Sequence, residues 1–255
     1  MGNAQGNLSP DNVKNFKIPL PPLAIQEKIV EEINQTETLE QQLTQQVETL
    51  RNEVTEVLNN LFLKHPKQKI KNLADLNPSK ATYIKENNSK TLVDFIAMAS
   101  VSEEGIITKT ETKTIEQVKT GYTFFQKNDV LFAKITPCME NGKGALVDVL
   151  KYDAAFGSTE FWVLRANKQI LPKLLFKYTT LKSFRIEAEK NMTGTSGHRR
   201  VPKDFILNYE FPLPPLAEQE KIVTQITAIE KQIETLEVEL NGLPAQKEGI
   251  LKKWL

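Results

Sequence analysis

The chain has 255 residues, of which 40% are hydrophobic and 25% charged, proportions typical of a globular protein with a substantial core. No run approaches the roughly 20 apolar residues that a membrane-spanning helix needs, and residues 1–10 lack the basic and apolar stretches of a secretory signal. The single cysteine, Cys138, excludes an internal disulfide and suits a reducing compartment. We therefore expect a cytoplasmic protein without a membrane anchor.

The net charge of +1 conceals a segregation of charge along the chain. Between Lys64 and Phe211 there are 24 Lys and Arg against 16 Asp and Glu, a balance of +8, whereas the two flanks together carry −7. A basic centre between acidic arms indicates a polyanion-binding middle and arms that contact protein. Because a small domain can carry such an excess without binding nucleic acid, the charge alone leaves both interpretations open.

The first motif in chain order is IPLPPLAIQEKIV at residues 18–30, which recurs as FPLPPLAEQEKIV at residues 211–223. The copies agree at 11 of 13 positions, which indicates an internal duplication. The prolines of each copy favour an extended segment, and the acidic residues that follow favour the first turn of a helix. The sequence therefore predicts helices that begin near Ala24 and Ala217.

After each copy, apolar residues recur at alternating spacings of four and three, interrupted in the first helix by Thr36 and Glu40. Such a narrow stripe is buried only when it winds on another, whereas a helix packed on its own domain usually has a wider one. We predict an internal antiparallel two-helix coiled coil. Its predicted interface residues are Ile29, Ile33, Leu43, Val47, Leu50, Val54, Val57, Leu61, Ile222, Ile226, Ile229, Ile233, Leu236, Leu240 and Leu243.

Between the two helices the pattern changes to short β-rich runs separated by turn residues. The predicted strands lie in residues 91–98, 105–112, 128–135, 144–150 and 159–166. Residues 171–190 then show one apolar face of a helix. These patterns predict an α+β domain with a curved antiparallel sheet and a helix packed against it.

The sequence offers little support for catalysis or metal binding. It has one cysteine and two histidines, His65 and His198, which do not match the spacing of a zinc site. No phosphate-binding loop or dinucleotide fingerprint is present, and we predict no catalytic and no metal-binding residues. A hydrolase that uses Cys138 with His198 remains a distant alternative.

Two loops of the central domain carry residue types that suit nucleic acid. Arginine can grip a phosphate or form a fork with a guanine edge, and glycines let a backbone approach a partner closely. The loop at residues 192–205 and the turn at residues 134–144 have this composition, and hydroxyl groups lie in a third segment. The predicted DNA-binding residues are Lys134, Asn141, Lys143, Ser158, Thr159, Ser196, His198, Arg199, Arg200 and Lys203.

The second helix contains Pro244, which we expect to end or kink it because proline lacks an amide donor and clashes with the preceding turn. The remaining residues, 245–255, would then form a separate final helix. A helix from Ala217 to Leu243 would span roughly 40 Å at about 1.5 Å per residue, or roughly 12 base pairs of duplex.

The motif PLPPLAEQEKIV with its following heptads, present on both sides of a β-rich domain, resembles the specificity subunit of type I restriction–modification systems. The first copy is similar to that family's central conserved region and the second copy to its distal one. GTSGHRRVPKDFILNYEFPLPP at residues 194–215 resembles the end of a target-recognition domain, and KQKIKNLADL at residues 67–76 resembles its beginning. The resemblance covers nearly the whole chain.

This resemblance implies a non-catalytic specificity subunit that binds one half of a bipartite target in double-stranded DNA. It also implies docking to adenine methyltransferase subunits and to restriction–translocation subunits. S-adenosylmethionine, ATP and Mg would then be cofactors of those partners, with no cofactor in this chain. The chief alternative is a non-catalytic coiled-coil adaptor, which would bind only protein partners.

Members of this family usually carry two recognition domains, whereas this chain shows one. We predict that residues 1–63 hold the end of a missing recognition domain, a proline hinge and the first coiled-coil helix. Residues 64–211 would form the DNA-reading domain, and residues 212–255 the second hinge and helix. A second copy of the chain would supply the other reading domain, and such a homodimer should prefer a two-fold symmetric split target.

Overall fold

The computed structural model of the chain describes residues 18–195 and 197–255. Residue contacts divide the chain into two compact units. We call Met1–Arg51 with Glu230–Leu255 the arm unit, and Asn52–Ile229 the head unit. The long helices α1 (Leu23–Lys64) and α8 (Leu216–Trp254) each contribute residues to both units.

Both long helices begin directly after the proline pair of their repeat. In α1 the amides of Ile25 and Gln26 donate to the carbonyl of Pro22, at 2.8 and 3.1 Å. In α8 the equivalent amides, those of Glu218 and Gln219, donate to the carbonyl of Pro215, at 2.9 and 3.0 Å. The duplicated sequence therefore forms the same first turn twice. The predicted beginnings near Ala24 and Ala217 are confirmed to within one residue.

The two helices of the arm unit run antiparallel. Ion pairs join Glu32 to Lys253 at 2.9 Å, Glu40 to Lys247 at 2.7 Å, and Arg51 to Glu237 at 2.6 Å. Partner numbers fall along α8 as they rise along α1, as in an antiparallel pair. Exposed ion pairs contribute at most about 1 kcal/mol each, so their main effect is to select the register of the helices.

The apolar stripes of the arm unit supply the buried surface between the helices. Leu43, Val47 and Leu243 are buried. The other predicted interface residues of this unit are partly buried, namely Ile29, Ile33, Leu50, Ile233, Leu236 and Leu240. The predicted antiparallel coiled coil is confirmed in the arm unit, whereas the predicted interface residues Leu61, Ile222 and Ile226 are buried in the core of the head unit. Among the described residues, no helix combines the length and the apolar character that crossing a membrane requires.

The two polar residues that interrupt the first apolar stripe, Thr36 and Glu40, both form hydrogen bonds. Thr36 is buried, and its hydroxyl donates to the carbonyl of Glu32 one turn earlier, at 3.0 Å. Glu40 accepts a hydrogen bond from Lys247, which raises the pKa of that lysine. A stripe with two polar positions can therefore stay in the interface without leaving a buried polar group unpaired.

Of the two outcomes predicted for Pro244, an end of the helix is wrong. Helix α8 continues through Pro244 to Trp254, so residues 245–255 do not form a separate helix. Proline removes one backbone hydrogen bond and crowds the preceding turn. Leu243 and Ile250, on either side of it, are both buried in the arm unit, and this burial favours the continued helix.

The head unit contains short strands connected by turns and short helices. The strands are β1 (Lys67–Lys69), β2 (Ala74–Leu76), β3 (Leu92–Ile96), β4 (Glu111–Thr114), β5 (Thr123–Phe125), β6 (Val130–Ala133), β7 (Gly144–Leu146), β8 (Ala155–Gly157), β9 (Phe161–Ala166) and β10 (Glu210–Pro212). The helices are α2 (Ile70–Leu73), α3 (Ala81–Glu86), α4 (Ile115–Val118), α5 (Pro172–Thr180), α6 (Lys182–Lys190) and α7 (Lys203–Asn208), with a 3₁₀ turn at Met98–Ser100.

These strands form two four-stranded sheets and one two-stranded ribbon. The first sheet has the order β2-β9-β6-β7 and is antiparallel throughout. The second has the order β4-β3-β8-β5, and its central pair β3·β8 is parallel, with Asp94 opposite Ala155. The ribbon pairs β1 with β10, the first and the last strands of the head unit. The fold is α+β as predicted, but its sheets are not all antiparallel.

Two predicted elements differ in the structure. The strand predicted at residues 105–112 is largely absent, because only Ile107 makes an isolated bridge and β4 begins at Glu111. That run is mostly exposed, and β propensity without burial does not hold a strand. The helix predicted at residues 171–190 is broken at Leu181, whose backbone is extended with ψ 130°. Just before the break, the hydroxyl of Thr179 donates to the carbonyl of Phe176 at 2.7 Å.

Buried Gln219 connects the second hinge to the body of the head unit. Its side-chain amide donates to the carbonyls of Pro214 and Gln169, both at 2.8 Å, and its Oε1 accepts the amide of Leu171 at 2.9 Å. In the first repeat the equivalent Gln26 makes the first type of contact, donating to the carbonyl of Pro21 at 2.8 Å. In both copies the glutamine side chain thus binds a proline carbonyl of the preceding hinge. In the second copy it also binds the segment before α5.

We expect Gln219→Ala to lower the free energy of unfolding of the head unit by about 1–3 kcal/mol, because three backbone groups lose their partner. Gln26→Ala is the matched control, since it removes one hydrogen bond from the equivalent hinge. Urea denaturation of both variants measures the difference. Equal losses in the two variants would contradict the anchoring role of Gln219.

Candidate nucleic-acid interface

The two loops predicted to contact DNA lie side by side in the head unit. Ile135 and Thr193 each form an isolated antiparallel bridge with Arg200. The amide of Thr136 donates to the carbonyl of Arg199 at 3.0 Å, and the amide of Val201 donates to that of Lys134 at 2.8 Å. Two loops about 60 residues apart in sequence therefore form one continuous backbone surface.

The third predicted segment joins the same surface through Glu160. The carbonyl of Glu160 accepts the amide of Lys134 at 2.9 Å. Its carboxylate accepts two hydrogen bonds from Arg200, from Nε at 2.9 Å and from Nη2 at 2.8 Å. This two-point geometry fixes the plane of the guanidinium. Glu160 therefore fixes the orientation of the Arg200 side chain, which remains partly exposed.

The charges of this cluster influence one another. The hydrogen bond from Arg200 holds the pKa of Glu160 below its ordinary value, and the same bond raises the pKa of Arg200. Lys134 lies with its Nζ 4.4 Å from the centre of the Trp162 ring, and burial lowers its pKa. The Trp162 indole donates to the carbonyl of Val201 at 2.9 Å, which ties the ring to the second loop.

Arg199 is held more loosely than Arg200. Its Nη2 lies 3.7 Å from Oε1 of Glu140 and 3.9 Å from Oε1 of Glu189, beyond hydrogen-bond distance in both cases. Oε1 of Glu140 also accepts the hydroxyl of Thr136. Because neither carboxylate forms a hydrogen bond with it, the Arg199 guanidinium is free to turn toward an external anion more readily than that of Arg200.

The other predicted residues near these loops differ in exposure. His198 and Lys203 are exposed, the latter as the first residue of α7. Thr159 is exposed, whereas the Ser158 hydroxyl accepts the amide of Glu160 at 3.2 Å and so stabilises a local turn. Ser196 lies outside the described residues.

Asn141 and Lys143 belong to the first loop. Asn141 is exposed, and its side-chain amide donates to Glu103 Oε1 at 2.9 Å. Lys143 is partly buried, and its backbone amide donates to the carbonyl of Cys138 at 3.0 Å. Cys138 itself packs against the apolar core between the two sheets.

Within residues 18–195 and 197–255, no group of three or more His, Cys, Asp or Glu is arranged to hold a metal ion.

The sequence did not identify the acidic and buried residues that organise this surface. Glu160 and Glu140 lie in no recognisable sequence motif, because each is far along the chain from the arginine that it contacts. Buried Arg185 had a usable signal, because it shares helical spacing with Leu181 and Ala188 on an otherwise apolar face. A charged residue at a core position indicates a buried polar contact.

The Glu160–Arg200 pair predicts a pH dependence of stability. Because the pKa of Glu160 is lowered from 4.5, its contribution is complete above that pH and is lost as the pH falls through the lower folded value. We expect the difference in Tm between the wild type and Glu160→Gln to be largest at neutral pH and to shrink below about pH 4.5. Glu86→Gln, an exposed site at the end of α3, is the control. A constant difference across this range would contradict the pairing.

Known proteins share both the sequence pattern and the fold. The sequence pattern of the family described as "Type I restriction modification DNA specificity domain" matches residues 1–49 and 66–245. The chain is 35% identical over 182 residues to the type I restriction enzyme EcoAI specificity subunit of Escherichia coli, covering 69% of this chain and 30% of that protein. It is 36% identical over 155 residues to the EcoEI specificity subunit of the same organism, covering 59% and 25%.

Solved structures extend the likeness at the level of the fold. The HsdS subunit from Thermoanaerobacter tengcongensis superposes with a TM-score of 0.52 at 19% identity, over 100% of this chain and 64% of that one. The S subunit of a type I restriction–modification system from M. genitalium gives 0.55 at 12% identity, over 98% and 66%. A chain from a study of type I restriction–modification complex assembly gives 0.56 at 24% identity, over 72% and 47%.

The chain thus spans about a quarter to a third of the curated relatives it matches. The family match nevertheless covers most of this chain, including both proline hinges, most of the head unit and most of α8. With its antiparallel helices and its β-rich head, the chain belongs to the type I restriction–modification DNA specificity family.

Proposed function

We propose that this chain reads one half of a bipartite target in double-stranded DNA through one surface of its head unit. We define the reading surface as Lys134, Asn141, Lys143, Thr159, His198, Arg199, Arg200 and Lys203. The observation that carries the proposal is the backbone pairing of Ile135 and Thr136 with residues 199–200, which joins two loops that were predicted separately. Basic side chains on a continuous rigid surface suit phosphate contacts and base edges.

The role of the chain in this proposal is recognition without catalysis. Methylation requires an adenine to leave the base stack and enter the pocket of a methyltransferase. We propose that adenine methyltransferase and restriction–translocation subunits dock on this chain and contribute S-adenosylmethionine, ATP and Mg. Its relatives EcoAI and EcoEI are specificity subunits of type I restriction enzymes, which supports this division of labour. The proposed site of action is the cytoplasm, where genomic DNA of a bacterium lies.

A second reading domain completes the bipartite target in this proposal. Ile18 and Leu20 of the first hinge are 76% and 79% exposed, whereas their counterparts Phe211 and Leu213 pack with the core of the head unit. Exposed apolar residues at an otherwise packed motif favour an intermolecular contact. We propose that a second copy of the chain joins the assembly, so the target should be two-fold symmetric.

The proposal is tested by co-expressing the chain with its adenine methyltransferase and mapping methylated adenines in the host genome. The expected result is a split, two-fold symmetric sequence that disappears when this chain is omitted. An asymmetric site would exclude the homodimer while retaining the reading function. If the chain binds the methyltransferase but methylation shows no preference for any DNA sequence, the result would instead support the alternative, a coiled-coil adaptor that binds only protein.

Arg199→Ala should lower the affinity for duplex DNA several-fold without changing the Tm, because its carboxylate neighbours lie beyond hydrogen-bond distance. If Arg199 reads a base, specificity relaxes at one position; if it grips a phosphate, affinity falls for all sequences and the salt slope drops by about one. Lys190→Ala, an exposed lysine on α6, is the control. Unchanged affinity and slope would remove Arg199 from the reading surface.

A further inference from the structure

Arg185 on α6 is a buried cation in the head unit. Only 7% of the residue is exposed. In the part of the chain that the structure describes, all of its hydrogen bonds go to backbone carbonyls, and it forms no ion pair. Burial lowers the pKa of Arg185 to about 10, so the guanidinium stays protonated at neutral pH.

The guanidinium holds the turn that carries Asn141 and Lys143. Its Nη1 donates to the carbonyl of Met139 at 2.8 Å, and its Nη2 donates to that of Gly142 at 3.0 Å. The carbonyl of Lys143 lies 3.4 Å from Nη1. Gly142 has φ +88°, a left-handed conformation that suits glycine in such a turn. One side chain therefore binds three backbone carbonyls of this loop, those of Met139, Gly142 and Lys143.

The other end of the guanidinium is fixed by the helix break. Arg185 Nε donates to the carbonyl of Thr179 at 2.7 Å, just before the extended Leu181. The guanidinium also lies 4.6 Å from the centre of the buried Phe132 ring. These contacts hold the side chain in one position, so the loop it binds is attached to the rigid body of the head unit.

Placing a positive charge at this buried position carries a free-energy cost. Burying a charge is unfavourable unless hydrogen bonds compensate, and replacing buried ionic groups by packed apolar ones is often neutral or stabilising. Stability alone therefore does not explain an arginine here. Its planar fork can bind several carbonyls at once, a geometry that neither lysine nor an apolar side chain can provide.

The same loop is attached to the second half of the reading surface. At its beginning, the amide of Thr136 donates to the carbonyl of Arg199. Arg185 binds its end, at residues 139–143. The loop is thus held on one side by the segment that carries the arginines and on the other side by the core.

We propose that Arg185 is a positioning residue for sequence recognition, which fixes the Thr136–Lys143 loop so that Asn141 and Lys143 meet DNA in one geometry. The proposal rests on the DNA-reading function proposed above. Loss of Arg185 should reduce the discrimination between target and non-target DNA. It should leave sequence-independent binding unchanged, because Arg185 does not itself reach the surface.

The test compares Arg185→Lys and Arg185→Met with Tyr178→Phe, which removes a buried hydrogen bond to the carbonyl of Pro212 elsewhere in the head unit. Each is assembled with the methyltransferase, and its affinity is measured for a duplex containing the mapped target and for a scrambled duplex. We expect the Arg185 variants to lose at least about tenfold in the ratio of the two affinities, with an unchanged salt slope on scrambled DNA. Tyr178→Phe should keep the wild-type ratio.

Hydrogen–deuterium exchange supplies a second readout that does not depend on DNA. Amides of residues 136–143 should exchange faster in Arg185→Lys but not in Tyr178→Phe. If Arg185→Met does not fold, the lysine variant still tests the loop. A wild-type affinity ratio in a folded Arg185 variant, or an equal loss in Tyr178→Phe, would overturn the positioning role. Absence of any preference in the wild-type complex would instead refute the proposed function itself.

Discussion

Phe184→Ala is expected to lower the free energy of unfolding of the head unit by about 3–5 kcal/mol. Phe184 is fully buried on α6, and its ring centre lies 5.4 Å from that of Phe132 in the first sheet. It also lies 4.7 Å from Tyr209 and 5.3 Å from Phe211, on the segment that leads into the second hinge. The alanine would leave a cavity where the helix, the sheet and the exit segment meet.

This loss is a large part of the roughly 5–15 kcal/mol by which a domain is usually stable. Urea denaturation followed by circular dichroism measures it, and the neighbouring variant Ile186→Ala is the control, because Ile186 is substantially exposed. We expect less than about 1 kcal/mol for the control, as for most surface substitutions. A similarly small loss for Phe184→Ala would show that the aromatic cluster does not hold these elements together.

Matched deletion of one heptad from each arm is expected to shorten the spacer of the DNA target by about three base pairs. The deletion removes Gln41–Val47 from α1 and Leu240–Gln246 from α8. Seven residues are close to two full turns, so the apolar stripes keep their facing within about 20°. Each helix becomes about 10 Å shorter, and base pairs are spaced about 3.4 Å apart along a duplex. The effect follows if the arm units set the distance between the two reading domains of the proposed homodimer.

The chosen segments preserve the ion pairs that select the register. Glu40 with Lys247 flanks the deletion on one side, and Arg51 with Glu237 flanks it on the other. Methylated-adenine mapping in cells that also express the methyltransferase reports the spacer, and the half-site bases should not change. Deleting only Gln41–Val47 is the control, because it puts these ion pairs out of register and should destabilise the arm unit. A double deletion that leaves the spacer at its original length would refute this role of the arm units.

The arms were predictable because their signals are local and repeated. Prolines fix where each helix begins, and a 4,3 spacing describes one face over many turns. The exception is Pro244, where a reliable local rule was overridden by the burial of Leu243 and Ile250 on either side of it. A helix that packs along its whole length can continue through one missing hydrogen bond.

The head unit was predictable only in part. Strands β6 and β9 lie in runs rich in Val, Leu and Phe that are largely buried, and such runs give a clear signal. Strands of three residues, such as β1, β8 and β10, are too short for any periodicity to appear. The parallel pairing of β3 with β8 joins residues about 60 apart in the chain, and no local pattern encodes it.

The types of residue in the candidate site were predictable, but their partners were not. Arg200 was identified as a DNA-contacting candidate from composition alone, and its pairing with Glu160 across 40 positions became visible only in the fold. The contact of Arg185 with Met139 spans 46 positions. Such contacts depend on how separate segments are placed in space, which single-residue propensities do not describe.

The sequence by itself determined the duplicated hinge, the two heptad helices and the basic character of the domain between them, because prolines, periodic apolar residues and charge act through short-range rules. The tertiary structure alone decided that three separate segments share one surface, that Glu160 holds Arg200, and that Arg185 holds the turn beside them. These contacts form between atoms brought together by the packing of sheets and helices, so their geometry exists only once the long-range contacts of the core have formed.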